Sequence, residues 1–223
     1  MSNNIWDELY DKNEKNPLIF NKIDEAHLDK LWKGKIRYFD FKKGDYVLDL
    51  GCGPTGRVAI PCAKRKANVI CLDISKRAIE NLKKKIKKAR LENFCKFMVF
   101  DLNNDIPFEN DKFNFVISLA TVTYVKNIEN LIKNISRVSK KDAKIFLTNL
   151  RYSYHPLNII FYSLSWFREK FGMKTIKPRF YLHSINRIID LFKKSNLEIL
   201  EIKKEHRMFI TYKWSILARK ITR

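Results

Sequence analysis

Three glycines and two acids supply the first chemistry visible in this chain. The run Val47-Leu48-Asp49-Leu50-Gly51-Cys52-Gly53-Pro54-Thr55-Gly56 takes a short apolar stretch into an acid and then a glycine-rich turn. Glycine lets a backbone bend sharply and lets a ligand approach it with no Cβ in the way. The residues behind the turn, 57–66, are compatible with a helix, and a helix N-terminus offers free N–H groups to a polar ligand. Asp73 follows the turn at the spacing of about 20 residues where an acid takes up the hydroxyls of a ribose. Gly51, Gly53 and Gly56 also satisfy G-x-G-x-x-G. A dinucleotide-dependent dehydrogenase and an enzyme for another nucleoside-type ligand both fit this run.

These groups need a scaffold that brings strand ends together. The pattern predicts a first strand over 46–50, entered by a turn at Lys42-Lys43-Gly44-Asp45. Further strands are predicted over 68–72, 94–100, 113–119 and 143–150. Between them lie helices over 57–66, from a Ser75 cap to Arg90, and over 127–139, where Ile128, Leu131, Ile132, Ile135 and Val138 form one stripe. Strands alternating with helices imply an open, mostly parallel sheet with helices on both faces. A helix over 184–194 and two final strands, 197–203 and 208–217, follow. No crossover helix separates those two, so the last strand is expected to be antiparallel. An amphipathic helix is expected over 24–39.

Beyond the glycine turn, Val69-Ile70-Cys71-Leu72-Asp73-Ile74-Ser75, then Phe100-Asp101-Leu102, Pro107-Phe108 and Phe113-Asn114-Phe115-Val116-Ile117-Ser118 occur in order. Together these motifs resemble class I S-adenosylmethionine-dependent methyltransferases, in particular the type 11 small-molecule subgroup. The resemblance is strong over 47–150. It implies a Rossmann-like α/β fold of seven strands, the last antiparallel, and S-adenosylmethionine as cofactor. A dehydrogenase would need a further substrate domain, and no residues remain to build one.

The resemblance implies roles for individual residues. Asp73 would hold the ribose hydroxyls and Ile74 would pack on the adenine. Asp101 would accept from the adenine amine, with Leu102 offering its backbone N–H. Gly51, Cys52 and Gly53 would face the methionyl part, with Asp49 and Leu119 nearby and Tyr10 folded over it. Asn114 stands where the family usually has Asp. Thr121-Val122-Thr123-Tyr124 lacks the Asn-Pro-Pro-aromatic tetrapeptide of amine-methylating nucleic-acid and protein enzymes.

The single domain, 1–223, divides into a helical cap (1–45), a cofactor-binding core (46–150), a substrate lid inserted after the fifth strand (151–181) and a C-terminal helix and hairpin (182–223). The lid is rich in aromatic and basic residues. Arg151, Tyr154, Arg179 and Tyr181 are the candidate acceptor-binding residues, and Tyr124 and His155 the candidate proton acceptors. Arginines at the mouth point to a small anionic acceptor methylated at oxygen or nitrogen.

Composition bounds the rest. The chain has 223 residues, with 45 Lys+Arg against 24 Asp+Glu and a formal net charge of +21. Such a surface favours anionic partners, so a tRNA or rRNA methyltransferase is the alternative reading. The lysines are spread along the chain, which fits a compositional bias better than a binding arm. Cys52, Cys62, Cys71 and Cys95 form no C-x-x-C pair, and no zinc or other metal site is expected. The polar N-terminus does not resemble a signal peptide, and the apolar stretch 157–167 is too short to span a bilayer. A cytoplasmic location is expected. The oligomeric state is open.

Overall fold

The structure is a computed structural model that describes residues 5–13, 30, 32–36, 39–150, 181, 183–207 and 211–221. Its centre is one seven-stranded sheet. The strands are β1 (Tyr46–Leu50), β2 (Asn68–Asp73), β3 (Cys95–Val99), β4 (Phe113–Leu119), β5 (Ser139–Leu150), β6 (Leu197–Arg207) and β7 (Thr211–Lys220). They lie in the order β3-β2-β1-β4-β5-β7-β6. The first five pair in parallel. β7 runs antiparallel between β5 and β6. The chain moves outward from β1 to β3, then returns to place β4 beside β1. That reversal opens a crevice at the strands' carboxyl ends, where open α/β sheets bind ligands.

Alternation along the buried strands builds two cores. Leu48, Leu50, Ile70 and Leu72 face one side, against α4 (Ile128–Val138) and α5 (Ile185–Lys194). Val47, Val69, Cys71 and Cys95 face the other, against α2 (Ala59–Lys64) and α3 (Lys76–Lys88). Asp49 and Asp73 share this second face by the same period of two. A helical stretch at 32–36 adds Trp32, which stacks at 6.0 Å on Phe146 of β5.

The caps follow sequence. Ser75 Oγ accepts from the Ala78 N–H at 3.0 Å, Asn127 from Asn130 and Ser184 from Arg187. α5 is followed by Asn196 at φ +55°, the left-handed conformation expected after a helix end. Asn114 Oδ1 accepts from the Tyr46 N–H at 3.0 Å and from Lys140 Nζ at 3.3 Å, so the amide ties β4 to β1.

Several boundaries differ from expectation. α2 is shorter than 57–66, because Arg57 and Val58 form a turn behind Gly56 at φ +72° and Lys66 adopts φ +61°. α3 stops at Lys88, two residues before Arg90 at φ +56°. β5 begins at Ser139 rather than Ala143, with an irregular register around Asp142 at φ +62°. β6 runs further than expected, to Arg207, and β7 spans Thr211–Lys220 where 208–217 was expected. Of the helix expected over 24–39, positions 30 and 32–36 are described and helical, while Phe39 lies outside the helix and is buried.

Candidate functional site

The glycine turn leaves β1 at the crevice. Gly51 adopts φ +71°, and a Cβ there would stand 2.1 Å from Thr121 Oγ1 and 2.6 Å from Thr121 Cβ. Thr121, just past β4, therefore fills the space that a side chain at position 51 would need. Gly53 adopts φ +56°, and a Cβ there would meet the Tyr10 hydroxyl at 3.7 Å. The structure thus brings Tyr10 from α1 (Ile5–Asn13) to the glycine turn.

Acids converge beneath the turn. Asp73 is buried, and its carboxylate accepts from the Gly53 N–H at 2.9 Å and the Ser75 N–H at 2.9 Å. Burial pushes its carboxyl up, the two N–H bonds oppose that shift, and the charge of Asp7 adds to it. Asp49 is buried on the same face, and its Oδ2 has no hydrogen-bond partner among the described residues. Burial first, and the charge of Asp73 second, push the Asp49 carboxyl up to about 8, while Arg57 pulls it down.

This electrostatic arrangement discriminates between ligands. A pyrophosphate at the turn would find the Gly53 N–H that would greet it already held by the buried Asp73 carboxylate. A ligand with a cationic head gains where an anion loses. The unpartnered Asp49 oxygen gives an ammonium or sulfonium group an acceptor to face. Carboxylates also keep lone pairs for more than one donor, so Asp73 can take ribose hydroxyls beside its two N–H bonds. The arrangement fits S-adenosylmethionine.

At the end of β3, Asp101 Oδ1 accepts from the Asn103 N–H at 2.9 Å and from Asn103 Nδ2 at 2.7 Å. The acid thus makes a local turn. Leu102 beside it is buried, and Ile74 and Leu119 are half-buried at the other strand ends. Cys52 is buried inside the turn, and burial pushes its thiol up.

The acceptor side begins after β4. Ala120 adopts φ +63°, and its N–H is taken by Thr148 Oγ1 at 2.9 Å. A 3₁₀ turn, Val122–Tyr124, follows. The Tyr124 ring meets Trp6 of α1 edge-on, with centroids 4.6 Å apart. Tyr181 donates its N–H to the Thr123 carbonyl at 2.8 Å, and His183 Nε2 lies 2.7 Å from the Val125 carbonyl. Tyr181 and Tyr124 therefore attach to one loop. His155, Arg151, Tyr154 and Arg179 lie outside the described residues, as does the rest of the expected lid at 151–180.

Three contributors carried no signal strong enough to single them out. Asp7 accepts from Ser75 Oγ at 2.5 Å and from the Arg77 N–H at 3.0 Å, pinning α1 to the start of α3. The acid is separated from Ser75 by 68 residues, beyond any local pattern. Thr121 and Asn103 sit in loops, and their partners Gly51, Lys126 and Asn127 are brought near only by folding. Among the described residues, no cluster of three His, Cys, Asp or Glu side chains is placed to hold a metal.

The sheet order and its helices define a Rossmann-like α/β domain. Residues 48–147 match the family model described as a methyltransferase domain. The chain is 26% identical over 230 residues to a ubiquinone biosynthesis O-methyltransferase of Pelagibacter ubique, with 95% of this chain and 88% of that protein covered. It is 28% identical over 130 residues to a demethylmenaquinone methyltransferase of Lactobacillus johnsonii, covering 56% of this chain and 52% of that protein. Among solved structures, a putative sarcosine dimethylglycine methyltransferase from Galdieria sulphuraria superposes with TM-score 0.66 at 14% identity, over 92% of this chain and 91% of that one. Residues 48–147 therefore form a methyltransferase domain, and the chain is similar to S-adenosylmethionine-dependent methyltransferases that act on small molecules.

Proposed function

We propose that this chain transfers the methyl group of S-adenosylmethionine to an oxygen or nitrogen of a small anionic molecule. The observation that carries the cofactor half is the buried pair Asp49 and Asp73 beneath the glycine turn, with one Asp49 oxygen unpartnered among the described residues. The name of the Pelagibacter relative favours oxygen as the acceptor atom. The anionic character rests on Arg151 and Arg179 in the sequence, since Arg pairs well with carboxylate and phosphate.

When bound, the cofactor supplies an electrophilic methyl group on a sulfonium. The chain's own residues do the rest by positioning, which can supply much of the barrier reduction in a displacement at carbon. Asp73 holds the ribose. Asp101 and Leu102 receive the adenine, with Ile74 against its face. Gly51, Cys52 and Gly53 lie along the methionyl part, Asp49 faces its ammonium, and Leu119 lines it. Tyr10 closes over the turn from α1. For a hydroxyl acceptor, His155 or Tyr124 takes the proton. Arg151, Tyr154, Arg179 and Tyr181 cover and orient the acceptor.

Calorimetry with S-adenosylmethionine, its demethylated product and NAD tests the cofactor half. The first two should bind and NAD should not. Asp73→Ala removes charge-assisted bonds to the ribose worth roughly 1.5–3 kcal/mol each, so it should weaken binding by at least tenfold. Undiminished binding in a folded Asp73→Ala variant contradicts the assignment. A methylation screen of carboxylated and phosphorylated metabolites, with RNA as the comparison, tests the acceptor half. Methylation of RNA alone would replace it with the nucleic-acid reading.

A further inference from the structure

We propose that Asn103 is a positioning residue: it aims Asp101 at the adenine amine and ties that acid to the loop where the acceptor sits. The inference rests on the cofactor reading above. Asp101 Oδ1 accepts both the Asn103 N–H and the Asn103 Nδ2. Both bonds fall on one oxygen, and no described residue bonds Oδ2. The carboxylate plane is therefore fixed with its second oxygen left for a ligand.

The other end of the same amide reaches across the crevice. Asn103 Oδ1 accepts from the Lys126 N–H at 2.8 Å and from the Asn127 N–H at 3.1 Å. Two backbone donors require the oxygen there, and a carboxylate requires the NH2 on the opposite side, so the amide has one workable orientation. Asn127 in turn caps α4. The loop that Asn103 grips carries Tyr124, and its Thr123 and Val125 carbonyls hold the Tyr181 N–H and His183 Nε2. One side chain thus links the end of β3, where adenine is read, to the loop after β4, where the acceptor approaches. An apolar side chain at 103 would free both sides, and a carboxylate would face Asp101 with like charge.

The test compares calorimetric affinity for S-adenosylhomocysteine with that for S-inosylhomocysteine, whose base carries a carbonyl in place of the amine. The wild-type chain should prefer the adenine ligand. Asn103→Ala should reduce that preference by about tenfold while changing S-inosylhomocysteine affinity much less. In an Asp101→Asn background, Asn103→Ala should reduce it no further, because the two act as one unit. A loss of bulk stability alone would weaken both ligands equally, and that result overturns the inference. If Asn103→Ala does not fold, Asn103→Asp carries the same expectation, since it keeps an acceptor for Lys126 and Asn127 while removing the donor facing Asp101. A wild-type preference that persists undiminished in the folded variant overturns the role of Asn103 alone. A wild-type chain that binds neither ligand removes the cofactor reading, and this inference with it.

Discussion

Asp49 is a buried carboxyl, and its Oδ2 has no hydrogen-bond partner among the described residues. Its carboxyl, raised from 3.8 to about 8 by burial and by Asp73, holds a proton more tightly in the folded chain than in the unfolded one. The stability this proton confers is complete below about pH 4 and is lost as pH rises through about 8. A cationic ligand head favours the ionised form. Affinity for S-adenosylmethionine should therefore rise with pH across about 7 to 9, with a proton released on binding. Calorimetry in buffers of different ionisation enthalpy reads that release, and Asp49→Asn should abolish it. A second prediction concerns Gly51 and Gly44, both at positive φ. A Cβ at Gly51 collides with Thr121, whereas at Gly44 nothing lies within 4 Å. Gly44→Ala should cost only the backbone strain, about 1 kcal/mol, and Gly51→Ala should cost more, about 2–3 kcal/mol, in denaturant titrations. Equal costs would show that Thr121 yields without penalty.

At the scale of elements, α1 is the piece whose position matters most to the site. It carries Tyr10 to Gly53 and Trp6 to Tyr124, and it is fastened by Asp7 to Ser75 and Arg77. Asp7→Ala removes two bonds at the start of α3, about 1–2 kcal/mol of docking. Hydrogen exchange in α1 should accelerate, and affinity for S-adenosylhomocysteine should fall, while the exchange of β1, β2 and β4 stays unchanged. Acceleration throughout the sheet would mean that α1 is part of the core rather than a cover. The helix over 127–139, the Ser75 cap and the alternation in β1 and β2 were legible in sequence, because those elements follow local period and local caps. The ends of α2, α3 and β5 were not. They are set by positive-φ residues that are not glycine, Lys66, Arg90 and Asp142, and such residues carry no distinctive side-chain signal.

The whole molecule presents two chemically distinct ends. The glycine turn and the acids lie at the carboxyl ends of the parallel strands, whereas the exposed Lys83, Lys84, Lys85, Lys87 and Lys88 crowd the far half of α3. RNA should bind such a surface with an affinity that falls steeply with salt, yet it should not be methylated. Salt-resistant binding together with methylation would place a nucleic acid in the crevice. Replacing 151–180 by a short Gly/Ser linker should abolish turnover but leave measurable affinity for S-adenosylhomocysteine, because the acids of the site all lie outside that stretch. Loss of cofactor binding in a folded variant would show that the segment belongs to the cofactor site as well.

By itself the sequence determined the strand-helix alternation, the antiparallel last strand and the acids at strand ends, while the reaction class came through the resemblance of its ordered motifs to methyltransferases. Each is written in contiguous residues: a turn that needs glycine, a period of two or 3.6, a strand pair with no crossover between. Tertiary structure alone decided which groups meet. Asp7 reaches Ser75 over 68 residues, Thr121 fills the space above Gly51 over 70, and Asn103 reaches Lys126 and Asn127 over 23 and 24. It also decided that Asp49 is buried with its Oδ2 unpartnered among the described residues, while Asp73 is held by two N–H groups. The two acids look alike as letters. They differ because burial and hydrogen bonding depend on what the fold places around a carboxylate, and those neighbours come from distant parts of the chain.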